Sequence, residues 1–293
     1  MSERVCVVIV TFNNANMLAK LLDDLRIQTR LPDGVIVVDN ASRDHTENTV
    51  REDYPEVKYV KLKENLGSAG GYHEGIRRAI ETADFIYTLD DDVRLKPNTL
   101  AEIIQGFHVL EKTSEFRIGT VRSVGEGHPQ SVPTPLEICP WRGTLFKTRI
   151  VREVGLPSPD YFLYGEDIEY SLRLAKRGYC FYWIPASICQ EDKRKRDGKA
   201  EMGLFKKRGT RYQDPFRLYY AFRSEISIYL NYCLFMKLLH TILYAMKVVL
   251  MILAKEGLSG RVAIGAIAAG IRDGFRRKLG KNSRYSPAEG ESH

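Results

Sequence analysis

Four apolar runs, each closed by a polar cluster and separated by helical periodicity, occupy the first 90 residues and leave this chain few folds to adopt. Val5–Val10 is a β-branched run that stops at Thr11-Phe12-Asn13-Asn14. Leu18, Leu21, Leu22 and Leu25 then share one helical face at i, i+3, i+4 and i+7. A Pro-Asp-Gly turn at 32–34 leads into Val35–Val38, which ends at Asp39-Asn40. A polar helix is expected near 44–53, a third strand at Val57–Leu62, a helix over 72–83 and a fourth strand at Phe85–Leu89. Strands that are apolar throughout, rather than alternating, are buried on both faces. Strand–helix alternation of that kind gives a parallel sheet with helices on either side. In such sheets ligands sit at the carboxyl ends of the strands, where the polar clusters fall here.

Beyond residue 119 the periodicity weakens. A helix is expected over 166–177, with Ile168, Leu172 and Ala175 inward, followed by a strand at Cys180–Ile184. Residues 193–211 form a basic loop with nine Lys/Arg, and long apolar helical sequence follows Pro215. Three regions result: 1–118, 119–214 and 215–293.

The sharpest chemical signal is Asp90-Asp91-Asp92 at a strand terminus. Alternate residues of an extended chain face the same way, so Asp90 and Asp92 project together and Asp91 points away. Paired carboxylates repel unless a hard cation relieves them, which suggests Mn²⁺ or Mg²⁺ completed by phosphate oxygens; a solvated acidic turn is the alternative. Glu64 to Gly71 is a Gly-rich turn entering a helix, a backbone that a phosphate could approach closely, although it is neither a Walker A loop nor GxGxxG. Tyr164-Gly165-Glu166-Asp167 opens the helix at 166 with acids that either complement its dipole or supply a carboxylate base.

Taken in order, VVIVTFNN (7–14), VIVVDNASRD (35–44), ENLGSAGGYHEG (64–75), YTLDDD (87–92) and GLPSPDYFLYGEDIEYSLRLAKRGY (155–179) resemble the inverting family 2 glycosyltransferases, closest to the rhamnosyl- and galactofuranosyl-transferase branch. The resemblance covers about residues 5–185 and implies an α/β GT-A fold, with a Rossmann-like, mostly parallel sheet covered on both faces. It implies that Thr11, Asn13, Asp39, Asn65, Gly67 and Asp91 bind a nucleoside-diphosphate sugar (UDP or dTDP). Asp90 and Asp92 would hold Mn²⁺ or Mg²⁺. Asp167 would be the general base with Glu166 beside it, and Trp141 and Tyr164 would meet a lipid-linked or glycan acceptor. Related sequences usually carry a metal-ligating His about six residues after the Pro that follows the last acceptor-half strand; Glu191 stands there instead, six after Pro185. His73 and His128 are expected at the surface.

Charge separates the halves, at −3 over residues 1–150 and +10 over 151–293, so the C-terminal part favours an anionic partner. In 234–253 the polar residues Lys237, His240, Tyr244 and Lys247 form one stripe on an otherwise apolar helix. Two lysines disfavour a span, so the helix is expected to lie in an anionic membrane surface as part of a C-terminal helical membrane-associating extension, flanked by Arg272, Arg276, Arg277, Lys278, Lys281 and Arg284. Packing on the catalytic domain or in a homodimer is the alternative. No nucleic-acid motif is present. Five scattered Cys without CxxC spacing, and an N-terminus that runs directly into a strand, lead one to expect a protein without disulfides or secretory leader, at the cytoplasmic face of the plasma membrane. Two other functions compete with sugar transfer. One is a sugar nucleotidyltransferase, which needs a basic Gly-rich loop that Thr11-Phe12-Asn13-Asn14 lacks. The other is a non-catalytic membrane adaptor keeping a GT-A shell.

Overall fold

The computed structural model describes residues 3–192 and 214–285. The basic loop expected at 193–211 lies outside the described residues. Two compact units divide the chain: residues up to 159 with 167–192, and residues 160–166 with those from 214 onward.

In the first unit, β1 (Val5–Thr11), α1 (Ala15–Arg26), β2 (Gly34–Asp39), α2 (Thr46–Asp53), β3 (Lys58–Lys61), α3 (Gly67–Ala79) and β4 (Phe85–Asp90) follow the alternation read from the sequence. Next come β5 (Val93–Leu95), α4 (Thr99–Thr113), β6 (Arg117–Val124), β7 (Thr134–Leu136), β8 (Thr144–Lys147), α5 (Thr148–Val154), α6 (Glu166–Lys176) and β9 (Tyr179–Glu191). The strands run β3-β2-β1-β4-β8-β6-β9-β5, with β7 beside β9. From β3 to β4 all neighbours are parallel; β8 is antiparallel to both β4 and β6, and β6 pairs in parallel with β9.

The period of two along β1 builds both cores. Val5, Val7 and Ile9 meet the α1 leucines and Phe107 of α4, while Cys6 and Val8 meet Tyr72 and Ile76 of α3.

Three sequence expectations change. Helix α3 starts at Gly67, five residues early, and its Gly71 and Gly75 lie close against the sheet. A Cβ at Gly75 would overlap Val8 and press on Val38 at 3.1 Å, and one at Gly71 would meet Val10 at 2.5 Å. Gly75→Ala should therefore destabilise the protein by about 1–3 kcal/mol through overpacking, read as a lower midpoint in urea unfolding. On α6 the inward residues are Tyr170, Ser171 and Leu174, whereas Ala175 is exposed and Ile168 and Leu172 are half-buried. The Tyr170 ring decides this rotation, since it packs on Trp141 and Phe146. Finally, β9 continues past Pro185. The register against β6 shifts between Ser123 and Val124, where Pro185 can donate no hydrogen bond, and the strand bends on to pair Glu191 with Val93 of β5.

The second unit contains α7 (Pro215–Asn231), α8 (Phe235–Glu256) and α9 (Arg261–Phe275). Helix α7 packs closely on α9 because Gly270 and Gly274 face it: a Cβ there would lie 2.6 Å from the Tyr219 carbonyl oxygen and 2.8 Å from that of Arg223. Thr241, Ala245, Val248 and Ile252 turn α8 inward, three of them in one cluster with Leu218, Phe222 and Ile267. The polar residues Lys237, His240, Tyr244 and Lys247 do form a stripe, but at 100° per residue it flanks this buried face rather than opposing it. Opposite the buried face lies an exposed apolar row, Met236, Leu239, Leu243, Met246, Leu250 and Leu253. The helix thus has three faces where the sequence suggested two.

Candidate active site

At the carboxyl ends of β1, β2 and β4 three turns brace one another. Strand β4 ends at Asp90, and Asp91, in the turn that follows, holds the β1–α1 turn. Thr11 Oγ1 donates to its Oδ2 and Asn14 Nδ2 to its Oδ1, both at 2.7 Å. Asn13 adopts φ +49°, donates its N–H to Ser42 Oγ and accepts from the Arg43 N–H. Asp39 is fully buried and accepts from the Ser42 N–H at 2.8 Å and from the Tyr59 hydroxyl, whose pKa is raised by burial and then by that carboxylate. Asn65 Oδ1 accepts from the Gly67 N–H at 2.8 Å, and Gly67 takes φ +71°, a conformation that glycine adopts without strain. Asn40, given no role from sequence, clamps this turn by donating to the Gly67 carbonyl and accepting from the Leu66 N–H. The expected nucleotide residues therefore come together, with many of their polar atoms engaged in holding the turns.

Beside them, Asp90 accepts from the Tyr72 hydroxyl at 2.7 Å, and the Tyr72 ring stacks on Trp141 at 5.2 Å. Burial raises the Asp90 pKa and the neighbouring Asp92 charge raises it further, against the lowering pull of Tyr72, Arg142 and Arg122. Asp167, in the first turn of α6, is pushed up to about 6, by burial first. The Ile168 N–H (2.8 Å) and Arg122 oppose the shift, and the Asp90 charge adds to it. The Asp92 charge thus acts on Asp90, and the Asp90 charge on Asp167.

Trp141 lies only 5% exposed, packed against Tyr72 and Tyr170. Glu191 forms an ion pair with Arg142 at the rim. In the second unit the Tyr164 hydroxyl accepts from Arg217 at 2.8 Å, and Glu166 is buried. His73 is half-buried and bonds the Pro157 carbonyl oxygen, and His128 packs on Trp183.

Two hard carboxylates, Asp90 raised by burial and by the charge of Asp92 beside it, suit a divalent cation. Among the described residues no group of three or more His, Cys, Asp or Glu is placed to hold a metal. The pair therefore fits an ion whose remaining ligands are phosphate oxygens and water, the usual Mg²⁺ or Mn²⁺ arrangement at a nucleotide.

Comparison with known proteins places this geometry. Residues 6–163 match glycosyl transferase family 2, and residues 134–264 match glycosyl transferase family group 2. The galactofuranosyltransferase GlfT1 of Mycolicibacterium smegmatis is 30% identical over 205 residues, covering 61% of this chain and 68% of the relative. Its Mycobacterium tuberculosis H37Rv counterpart is 29% identical over 210 residues, covering 62% and 67%. A mannosyltransferase from Pyrobaculum calidifontis, in complex with GDP-Man and Mn²⁺, superposes with a TM-score of 0.59 at 19% identity, over 94% of this chain and 76% of that one. Staphylococcus aureus TarS 1–349 with UDP superposes with a TM-score of 0.53 at 17% identity, over 78% and 66%. The fold and the matched sequence define a GT-A glycosyltransferase. Within that class the chain belongs to glycosyltransferase family 2, on the galactofuranosyltransferase branch, which removes the nucleotidyltransferase and adaptor alternatives.

Proposed function

We propose that this enzyme transfers a hexose, galactofuranose before rhamnose, from a UDP sugar to a lipid-linked or cell-surface glycan at a membrane surface, with inversion at the anomeric carbon. The galactofuranosyltransferase relatives favour that sugar. One feature carries the mechanism: Asp167, at the start of α6, is buried and held above the usual carboxylate range, with the Asp90 charge adding to the shift.

Thr11, Asn13, Asp39, Asn65, Gly67 and Asp91 shape the nucleotide pocket, through the turns they brace. Asp90 and Asp92 would hold the divalent ion, which when bound neutralises charge on the donor diphosphate. Tyr72 orients Asp90 by its hydrogen bond. Asp167 takes the proton of the acceptor hydroxyl as that oxygen bonds to the anomeric carbon. The bond from that carbon to the diphosphate breaks in the same displacement, its electron pair leaving with the nucleoside diphosphate. A carboxylate with a pKa near 6 suits this task, being mostly ionised at neutral pH yet more basic than a solvated aspartate. Trp141 would border the acceptor side. Glu191 would have to release Arg142 before it could hold the ion. The exposed row of α8 rests on the cytoplasmic leaflet.

The test is calorimetry of UDP with and without Mn²⁺. The wild type should bind UDP more tightly with the metal, and Asp92→Asn should weaken Mn²⁺-supported binding at least tenfold, on the scale expected for a lost charged ligand. Equal affinities would remove the metal from the reading.

A further inference from the structure

Arg122, on β6, is only 8% exposed. A guanidinium so buried is normally paired with an acid, because an uncompensated buried charge is costly. Arg122 has no carboxylate within ion-pair distance among the described residues. Its Nε donates to the Arg142 carbonyl oxygen at 3.0 Å and its guanidinium lies 4.4 Å from the centre of the Trp183 ring. The Nη1 and Nη2 groups make no hydrogen bond among the described residues. A fork with unused donors is therefore held rigidly by an indole and a carbonyl. It lies within electrostatic reach of both Asp90 and Asp167.

The local charge balance says what the fork lacks. Asp90, Asp92 and Asp167 already make this end of the sheet acidic, and a diphosphate adds further negative charge. A divalent ion offsets two charges and leaves an anionic excess that grows as the leaving group departs. Arg142 is engaged with Glu191. Among the described residues Arg122 is a buried cation within reach of these carboxylates, with planar geometry that matches two phosphate oxygens.

We propose that Arg122 is a catalytic residue whose terminal nitrogens bind the diphosphate of the nucleotide-sugar donor and stabilise it as the leaving group. This rests on the donor reading above and adds to it a residue that no motif marks. A brace needs only the Nε bond and the indole contact, so a purely structural role predicts a different pattern on substitution.

Calorimetry of UDP and of uridine, both with Mn²⁺, on wild type, Arg122→Gln and Arg122→Lys separates the two. The expected result is a loss of UDP affinity on the order of 10- to 100-fold in Arg122→Gln, with uridine binding within about twofold of wild type on that same accounting. Arg122→Lys, a cation without the fork, should lose less than Arg122→Gln but more than it loses for uridine. Equal weakening of UDP and uridine, or UDP binding like wild type with a raised KM for the acceptor, overturns the assignment. Should Arg122→Gln fail to fold, an unchanged UDP-to-uridine affinity ratio in Arg122→Lys overturns it equally. Absence of Mn²⁺-dependent UDP binding in the wild type would instead overturn the donor reading and this inference together.

Discussion

Asp167→Asn should lower the rate of sugar transfer by about a thousandfold, within the range for removal of a general base, while UDP binding in Mn²⁺ stays close to wild type. The same variant should be more stable than the wild type at pH 8. Asp167 is raised from 3.8 to about 6 in the folded protein, because burial and the Asp90 charge disfavour its ionised form. A carboxyl raised on folding binds its proton more tightly in the native state. Its favourable contribution is fully present below about pH 4 and is lost as pH rises through 6, so above 6 the ionised side chain costs stability. Asparagine removes that cost and can still accept from the Ile168 N–H. Scanning calorimetry without metal should show a higher Tm for the variant at pH 8 and a gap that closes toward pH 4. The wild-type rate should fall on the acid side with a midpoint near pH 6, a limb missing from whatever activity the variant retains. Near-normal turnover would remove Asp167 as the base, and a lower Tm at pH 8 would show that its charge is compensated in the fold.

Legibility in the sequence followed the physics of each half of the sheet. Strands β1, β2 and β4 are almost wholly buried, so they read as apolar runs, and Asp39 and Asp90 stand where the last two runs end. Asp91, in the turn after β4, reaches back to Thr11 and Asn14. The antiparallel half hid itself. Strand β6, Arg117–Val124, is almost wholly buried yet carries Thr120, Arg122 and Ser123, which read as polar punctuation until cross-strand partners such as Tyr87 and Ser187 satisfy the serine. Arg122 left no local signal, because its meaning depends on Trp183 and Asp90, 61 residues after and 32 before it in sequence. Gly-rich sequence before a helix fits a phosphate loop and close helix–sheet packing equally well, and Gly71 lies against Val10. The rotation of α6 was misjudged because Ile168, Leu172 and Ala175 form an apolar row on their own, while Tyr170 has the larger ring to bury.

Replacing Leu243 and Leu250 together by glutamate should release the protein from vesicles of anionic phospholipid without unfolding it. Both side chains are more than half exposed and lie opposite the residues that hold α8 against its neighbours, so neither supports the core of that unit. Monomeric surfaces seldom present so long an apolar row. Over 22 residues α8 is about 33 Å long, and its mean hydropathy of 1.7 would pass for a span, but a helix with one face committed to protein offers lipid only the other. A helix lying in the interface fits all three faces: protein above, the apolar row in the acyl boundary, and Lys237 and Lys247 on the flank at headgroup level. Losing two buried leucines costs about 3–6 kcal/mol of membrane binding, and two carboxylates facing anionic headgroups add repulsion, so co-sedimentation should fall at least a hundredfold in apparent affinity. The thermal midpoint in detergent-free buffer should stay within a few degrees of wild type, as expected for surface substitutions. Undiminished co-sedimentation, or a wild-type dimer that the double variant converts to monomer with no change in vesicle binding, would assign the row to a second copy of the chain instead.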